Sequence, residues 1–551
     1  MAQVRQTTRL PSLLRPLPSI GREIGRHLRD ARLDLAILAA LLVVAAVTRL
    51  VLLGDIPPGL HGDEATAGLE ARNILNNGHI GAFSRGALGT PAGTFYWTAA
   101  VFWLFGDSDY TLRLAYAIMG IVTIPLAYLA FKVMFSRPTA TIAALLLAVS
   151  AWHIHYSRLA FPAVSWPLVE VATMFSLFLA IRYESRLLFG LTGVFLASGI
   201  YSYGAYPIFV VAMGAFLAWL ALVRYRQRLI HFVSMVAVMG GMALLVGLPM
   251  ASFARNNSDV YTGRYQEYSI TNNQEYEDSN LFERGRLIAE RELDYLELMI
   301  SEPVTDGADA AGVFPLINGV FLTLIIGGVV LAFIRWRSPA HAFLIIATAV
   351  ILLAPAVTVE AQYRRTVGLT PFLVALAALP LTFVLSTAHR LGTQALVVAT
   401  VGVVVAIGAT GAIDLYRYFN TYDDNQAVRQ VLAASMAEAS RFMADQSDDT
   451  YVYFSSAIAT INFESRRFIA PDVRGEDRSN EFGTGFRLEV DQPGNILFLF
   501  MDVYLDQADV VEQLYPGGER RTVVDSNGIP VFNSYFLERD RSTDAEQLPR
   551  R

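Results

Sequence analysis

The chain has 551 residues, of which 54% are hydrophobic and only 17% are charged, and its formal net charge at pH 7 is −6. This composition is typical of a membrane protein. The negative charge and the lack of a long basic stripe argue against a nucleic-acid partner. The absence of cysteine excludes disulfides, thiolate metal sites and a cysteine nucleophile.

The N-terminal segment, residues 1–34, carries seven arginines and few acidic residues. By the positive-inside rule this segment lies in the cytoplasm. The first apolar segment, 35–53, is too long for the core of a cleaved signal peptide, so we expect it to remain as a membrane span. It delivers the loop at 54–87 to the exterior.

Apolar segments long enough to cross a bilayer recur over residues 35–414. The alternation of basic and acidic turns predicts eleven crossings, with the N-terminus in the cytoplasm and the tail from residue 415 outside. The stretch at 88–105 is broken by Pro91 and Gly93, and we expect it to be re-entrant or interfacial. The predicted fold class is therefore an α-helical polytopic membrane protein, and the predicted location is the plasma membrane.

Two adjacent carboxylates, Asp63 and Glu64, follow the first span. They open a predicted helix over 65–77, which Gly78 ends. Adjacent carboxylates push each other's pKa values apart, so one of them could serve as a base near pH 7. The alternative is that Asp63 is only the N-cap of an interfacial helix.

The next exterior edge contains His155 and Arg158, followed by Glu170 within an apolar span. The His-x-His spacing lacks a nearby carboxylate, so a metal site is not indicated. Arg158 is an exterior cation where an anionic lipid group would lie. Glu170 is either a functional carboxylate inside the membrane or a partner in helix packing.

Two more exterior segments carry polar residues. Arg364 and Arg365 are exterior cations, contrary to the positive-inside rule. We favour the interpretation that they bind a specific anion; the alternative is a general attraction to lipid headgroups. Tyr203 belongs to a tyrosine cluster that is either an aromatic belt or part of a site. The acidic loop at 250–313, with a predicted amphipathic helix near 281–300, is either a lid or a plain interfacial loop.

The tail, residues 415–551, returns to a soluble composition. A helix is predicted over about 424–445, and strands are predicted over 450–454, 495–500, 521–524 and 530–537. Strands that alternate with helices indicate a small extracytoplasmic α/β domain. Its role is either substrate recognition or support of the membrane part.

Several short motifs together resemble family 39 membrane glycosyltransferases of the C-type superfamily, which include the protein O-mannosyltransferases and the lipid A aminoarabinose transferases. The resemblance covers about the first 160 residues, and beyond them it is one of architecture. The motifs are Asp63-Glu64-Ala65, Arg72-Asn73-Ile74-Leu75 with Gly78, Pro91 with Tyr96-Trp97, Phe105-Gly106 with Leu112-Arg113-Leu114, Ser157-Arg158, and Tyr363-Arg364-Arg365. An aspartate that many relatives have after the Ser-Arg pair is absent here, where Phe161-Pro162 stands instead.

This resemblance implies a polyprenyl-phosphate sugar as donor, with Asp63 as the catalytic carboxylate and Glu64 as its partner. The first hypothesis is thus an inverting sugar transferase in which Asp63 removes the proton of an acceptor hydroxyl. Arg158 and one of Arg364 or Arg365 would stabilise the departing lipid phosphate. His155, Tyr203 and Glu170 are further residues that could line the substrate.

Two other hypotheses stay open: a transporter of lipid-linked or small substrates, and a non-catalytic envelope assembly protein. No internal repeat or matched pair of broken helices supports the transporter. The sequence names no cofactor and leaves a divalent cation open, because the carboxylates are few and scattered. The expected partners are membrane lipid, the lipid-linked donor, and a glycan, lipid or protein acceptor.

Overall fold

The computed structural model describes residues 17–87, 89–272, 274–301, 315–356, 358, 363–421, 425–479, 492, 494–525 and 527–539. The part before residue 422 is helical apart from one short two-stranded ribbon. Its elements are α1 Leu17–Leu50, α2 Gly62–Asn77, β1 Phe83–Ser84, β2 Thr90–Pro91, α3 Gly93–Phe105, α4 Asp109–Met134, α5 Arg137–Val149, α6 Ala151–Arg158, α7 Ser165–Tyr183, α8 Arg186–Ser198, α9 Pro207–Trp219, α10 Leu229–Asn256, α11 Ser258–Tyr268, α12 Gln274–Asp278, α13 Leu281–Ser301, α14 Gly319–Ile334, α15 Pro339–Ala356, α16 Leu369–Leu391 and α17 Thr393–Thr421.

Within the described residues, eight helices are long and apolar enough to cross a membrane. The bent pair α5 and α6 makes a ninth when it is taken as one span, and two shorter apolar helices lie at Arg186–Tyr201 and Gly319–Ile334. The predicted fold class, a polytopic helical membrane protein, is confirmed. The count of eleven crossings requires both shorter helices to cross as well, and it stays a prediction.

Three helices meet at one carboxylate. Asp34 of α1 accepts hydrogen bonds from Tyr128 Oη of α4 at 2.6 Å and from Arg137 Nε of α5 at 2.8 Å. Lys132 forms a further ion pair with it. This network ties α1 to α4 and α5.

The bend between α5 and α6 measures 54° and leaves backbone groups without helical partners. Arg49 supplies donors to the end of α5, with Nη1 at 2.8 Å from the Ala148 carbonyl. Asp414 accepts from the Ala151 amide at 3.1 Å at the start of α6. A broken helix inside a membrane is tolerated where side chains satisfy its free backbone groups in this way.

The part after residue 425 is a small α/β unit, as predicted. Its elements are α18 Gln426–Val431, α19 Ala434–Ala444, β3 Thr450–Ser455, α20 Glu464–Ile469, β4 Arg474–Asp477, β5 Asn495–Met501, α21 Gln507–Leu514, β6 Glu519–Val524 and β7 Pro530–Leu537. The five strands have the order β4-β3-β5-β7-β6, in which β3 is parallel to β4 and β5 while β7 is antiparallel to its neighbours.

Alternating residues along β5 divide the core of this unit into two layers. Leu497 and Leu499 pack with Met436 and Met443 of α19, whereas Phe498 packs on the other face with Val511 of α21. Helices therefore cover both faces of the sheet.

One prediction in this unit was wrong, and one strand was not predicted. The helix expected over about 424–445 is broken, because Ala433 adopts a left-handed conformation with φ of 52° between α18 and α19. The strand β4 was missed. It is short and reads Arg-Gly-Glu-Asp, so neither alternation nor β-branched residues marked it.

Helix α20 docks the C-terminal unit onto α2 and the loop before it. Ser465 Oγ donates to the Leu60 carbonyl at 2.7 Å, and both residues are buried. Arg72 of α2 donates to the Phe468 carbonyl at 2.7 Å and lies over the Phe468 ring, 4.1 Å from its centroid. These contacts fix α20 against α2.

A second close approach requires a glycine. Gly59 has φ of 72°, and a Cβ atom at this position would lie 2.4 Å from the Leu432 carbonyl oxygen. The loop before α2 and the turn between α18 and α19 are thus in direct backbone contact. A large cavity remains open beside this contact, between the two parts of the chain.

Candidate active site

The cavity has a volume of about 1240 Å³ and is lined both by loops of the helical part and by the C-terminal unit. This volume is above the range of about 300–1,000 Å³ that is usual for small-molecule sites, so it has room for two reacting molecules. From the helical part, Asp63, Tyr203, Arg364 and Arg365 reach the cavity. These are four of the eight residues that the sequence analysis selected.

The first turn of α2 presents Asp63 to the cavity. His61 is the N-cap, and its Nδ1 atom accepts from the Asp63 amide at 3.0 Å. The helix cap is therefore His61, and the alternative in which Asp63 only caps the helix is wrong. The Asp63 side chain is 48% exposed and faces the cavity space.

Glu64, expected to be the catalytic partner of Asp63, points away from the cavity. It is fully buried, and its two oxygens accept from Arg113 Nε and Nη2, each at 3.1 Å. The Ala160 amide also donates to it, at 2.9 Å. Consecutive residues of a helix point about 100° apart, which is why only one of the two carboxylates reaches the cavity. Glu64 therefore forms a buried ion pair with Arg113 and does not line the cavity.

Arg364 contacts Asp63 directly. Arg364 and Arg365 lie on the short helical turn Tyr363–Thr366 between α15 and α16. Arg364 Nη1 lies 3.4 Å from Asp63 Oδ2, and its guanidinium carbon lies 5.8 Å from the centroid of the Phe161 ring. Arg365 lines the same cavity. The site therefore combines one carboxylate with two guanidinium groups.

Arg158, expected to bind the donor phosphate, does not line the cavity. It is fully buried and donates to the carbonyl group of Thr48 in the last turn of α1 and to those of Leu52 and Ile56 in the segment that follows, at 2.6 to 3.3 Å. The last turn of a helix leaves its carbonyl groups without helical partners, and Arg158 satisfies that of Thr48. Its charge is thus used inside the protein.

His155 and Glu170 are also buried away from the cavity. His155 packs edge-on against the rings of Tyr156 and Tyr418. Glu170 is fully buried within α7, and neither of its carboxylate oxygens has a hydrogen-bond partner in the described part of the chain. Neither residue contacts the space that Asp63 and Arg364 face.

Two residues at the cavity were missed by the sequence analysis. The His61 ring packs edge-on against Phe161, with centroids 5.3 Å apart, so the two rings form an aromatic wall beside Asp63. Phe161 occupies the stretch in which many relatives have an aspartate. This difference is the only feature of the sequence that marked Phe161. His61 lies two residues before Asp63, as the N-cap of α2.

The C-terminal unit supplies the opposite wall, which contains Gln430, Glu464, Asp502 and Asp525. No sequence motif marked these residues. Among the residues that the structure describes, no group of three or more His, Asp or Glu side chains is arranged to hold a metal ion. The chemistry available to the site is that of a carboxylate, two arginines and a polar wall.

Comparison with known families finds one match. Residues 90–252 match the model of the dolichyl-phosphate-mannose-protein mannosyltransferase family. This segment is less than a third of the chain and includes Phe161 and Tyr203 but neither Asp63 nor Arg364. A comparison with curated proteins found no match.

Solved structures resemble nearly the whole chain. The apo state of ArnT from Cupriavidus metallidurans is 14% identical, with a TM-score of 0.55 over 92% of this chain and 98% of that one. The same protein bound to undecaprenyl phosphate gives 14% identity and a TM-score of 0.53 over 91% and 97%. The oligosaccharyltransferase AglB from Archaeoglobus fulgidus, in complex with an inhibitory peptide and a dolichol-phosphate, gives 14% and 0.56 over 94% and 75%.

The chain therefore has the fold of the polytopic membrane glycosyltransferases of the C-type superfamily. The resemblance to family 39-type proteins that the sequence predicted is confirmed by the family match and by the structural neighbours.

Proposed function

We propose that this protein is a membrane glycosyltransferase that moves a sugar from a polyprenyl-phosphate carrier to an acceptor hydroxyl, on the extracytoplasmic face of the plasma membrane. The contact between Asp63 and Arg364 carries the proposal. A carboxylate and a guanidinium lie 3.4 Å apart in the wall of a cavity of about 1240 Å³, on loops at one end of the membrane helices.

Asp63 is the proposed general base. It accepts the proton of the acceptor hydroxyl while that oxygen bonds to the anomeric carbon of the sugar. The bond between the anomeric carbon and the phosphate oxygen breaks on the opposite face, so the configuration at that carbon inverts. The electron pair leaves with the polyprenyl phosphate. General base catalysis of this kind typically contributes about 10²–10⁴ in rate.

Arg364 and Arg365 are the proposed ligands of the lipid phosphate. Guanidinium groups bind phosphate oxygens through paired N–H donors, and they stabilise the negative charge that grows on the leaving group. Because Arg364 also contacts Asp63, the phosphate and the base would belong to one site, on the two sides of the anomeric carbon. The assignment of Arg158 to this role is dropped, because Arg158 is buried outside the cavity lining and donates to backbone carbonyl groups.

The structural neighbours support the choice of donor. ArnT has been crystallised with undecaprenyl phosphate and AglB with a dolichol-phosphate. The matching family model is named for a dolichyl-phosphate-linked mannose donor. ArnT and AglB thus both bind a lipid phosphate, which supports a lipid phosphate as the ligand of this site.

Lipid binding tests the arginine roles. Binding of undecaprenyl phosphate to the purified protein in detergent is measured for the unaltered chain and for Arg364→Ala, Arg365→Ala and Arg286→Ala. Each cavity variant should bind the lipid about tenfold or more weakly, since a hydrogen bond to a charged group contributes roughly 1.5–3 kcal/mol. Arg286 is 69% exposed and pairs only with Glu290 among the described residues, so its loss should have no effect. Equal binding by all four proteins would overturn the proposal.

A further inference from the structure

The two walls of the cavity carry opposite charge. The helical wall has Arg364 and Arg365 against Asp63. Among the residues that the structure describes, the C-terminal wall has three carboxylates, Glu464, Asp502 and Asp525, and one arginine. That arginine, Arg429, is paired with Glu438 at 2.7 Å and also lies 4.0 Å from Asp525. An anion is therefore favoured on the helical side and disfavoured on the C-terminal side.

Glu464 is the carboxylate of this wall that lies beside the first turn of α2. A Cβ atom built on Gly62, the residue before Asp63, would lie 3.6 Å from Glu464 Oε2. The side chain of Glu464 forms no hydrogen bond or ion pair with any of the described residues. Its two oxygens are free to accept hydrogen bonds from a molecule bound next to Asp63.

The position of Glu464 is fixed by its neighbours. Ser465 and Phe468, on the same helix, contact Leu60 and Arg72 in and before α2. Gly68 leaves no room for a side chain, because a Cβ atom there would lie 2.4 Å from the Phe468 ring. Glu464 and Asp63 are therefore held on one rim, although 400 residues separate them in the chain.

The remaining surface of the C-terminal wall contains both polar and apolar side chains. Gln430 and Asp502 are polar, and Ile458, Phe463 and Val531 are apolar. Apolar patches between hydrogen-bonding side chains fit a ring that has flat apolar faces and hydroxyl groups around its edge. A sugar ring has this distribution, and an extended lipid chain does not.

We propose that the C-terminal wall binds the acceptor, that Glu464 orients it by accepting hydrogen bonds from groups next to the reacting hydroxyl, and that the acceptor is a neutral or cationic carbohydrate. This inference rests on the proposed transferase function and adds the class of acceptor to it. An anionic acceptor is repelled by the carboxylates of the wall. The separation of charge also keeps the lipid phosphate on the arginine side and the acceptor on the other.

Three trisaccharides of similar size and different charge test the inference. They are chitotriose, which is neutral, the glucosamine trimer, which is cationic, and trigalacturonate, which is anionic. Their binding is measured on the full-length purified protein loaded with undecaprenyl phosphate. The variants are Glu464→Gln and, as a matched control, Glu519→Gln, which changes an exposed carboxylate on β6 outside the cavity.

The neutral and cationic trimers should bind and the anionic trimer should not. The cationic trimer should bind Glu464→Gln about tenfold or more weakly than it binds the Glu519→Gln control. Equal binding to both variants, binding of trigalacturonate as strong as that of chitotriose, or no binding of any trimer would overturn the inference. Failure of the proposed function shows separately, as undecaprenyl phosphate binding that is insensitive to Arg364 and Arg365.

Discussion

Asp63 and Glu64 are consecutive in the chain, yet the Asp63 side chain is 48% exposed to the cavity and that of Glu64 is fully buried against Arg113. One helical step thus separates the proposed base from a carboxylate that holds the loop in place. Arg113 also donates to the carbonyl groups of Pro57 and Gly59, so the Glu64–Arg113 pair fixes the whole approach to α2.

This difference predicts opposite phenotypes for the two carboxylates. Glu64→Gln should destabilise the protein, because removal of one member of a buried ion pair typically costs about 3–5 kcal/mol. Asp63→Asn should change stability little, since a partly exposed pair contributes only about 0–1 kcal/mol. Thermal unfolding of both variants in one detergent measures the difference. Equal losses of unfolding temperature would contradict the assignment of Glu64.

Arg158 should behave as a stabilising residue. Arg158→Ala removes the donors to the buried carbonyl groups of Thr48 and Ile56, and each buried group left without a partner costs about 1–3 kcal/mol, so the unfolding temperature should fall. Arg158→Lys should recover only part of the loss, because lysine lacks the planar fork of donors. Undecaprenyl phosphate binding, per mole of folded protein, should persist. A variant of normal stability that no longer binds the lipid would return Arg158 to the phosphate site.

Glu292 on α13 should make stability depend on pH. Burial raises the pKa of its carboxyl to about 7 from the ordinary value of 4.5, and neither oxygen has a hydrogen-bond partner in the described residues. Below about pH 4 the group is protonated in the folded and unfolded chain alike and has no effect on stability. Between pH 4.5 and 7 only the unfolded chain loses the proton, so stability falls as the pH rises and stays reduced above 7.

The variant Glu292→Gln removes this pH-dependent loss. At pH 8 the unfolding temperature of this variant should exceed that of the unaltered protein. At pH 4, where the effect is absent, this gain should disappear. The comparison variant is Glu297→Gln, which changes an exposed side chain on the same helix. An unfolding-temperature difference for Glu292→Gln that is the same at pH 4 and pH 8 would show that the carboxyl is not buried in its neutral form.

The side of the membrane on which the C-terminal unit lies follows from the predicted topology. An alkaline phosphatase reporter fused after the last residue, Arg551, should be active, because this enzyme folds only after export. A green fluorescent protein fused at the same place should stay dark when exported unfolded. The reverse pattern would place the cavity in the cytoplasm and remove the basis for a lipid-linked donor on the exterior.

Helix α2 and four of the five strands described in the tail could be predicted from sequence because their signals are local. Gly78 ends α2 with φ of 83°, and the strand predicted over 530–537 is β7. Periodicity and turn residues determine such elements. The same signals could not show that Ala433 breaks the helix before β3, since its conformation depends on contact with the loop around Gly59.

The site could be predicted only in part, because direction and distance within the fold are not local properties. Asp63 and Arg364 were both selected, but nothing in the sequence showed that they touch across 301 positions. Arg158 was predicted to lie at the same edge as Asp63 and to bind phosphate, yet it is buried and donates to the carbonyl groups of Thr48, Leu52 and Ile56. Glu464 carries no motif, and only the docking of α20 on α2 brings it to the cavity.

The central claim is that Asp63 removes the acceptor proton in transfer from a polyprenyl-phosphate sugar. Cells that lack this protein are complemented with the unaltered chain, with Asp63→Asn, or with Asp259→Asn, which changes an exposed exterior carboxylate. Lipids are extracted and analysed by mass spectrometry. The account predicts that a polyprenyl-phosphate sugar accumulates in the deletion strain and with Asp63→Asn at normal expression, and is cleared by the other two chains. Clearance by Asp63→Asn as complete as by the unaltered protein would contradict it.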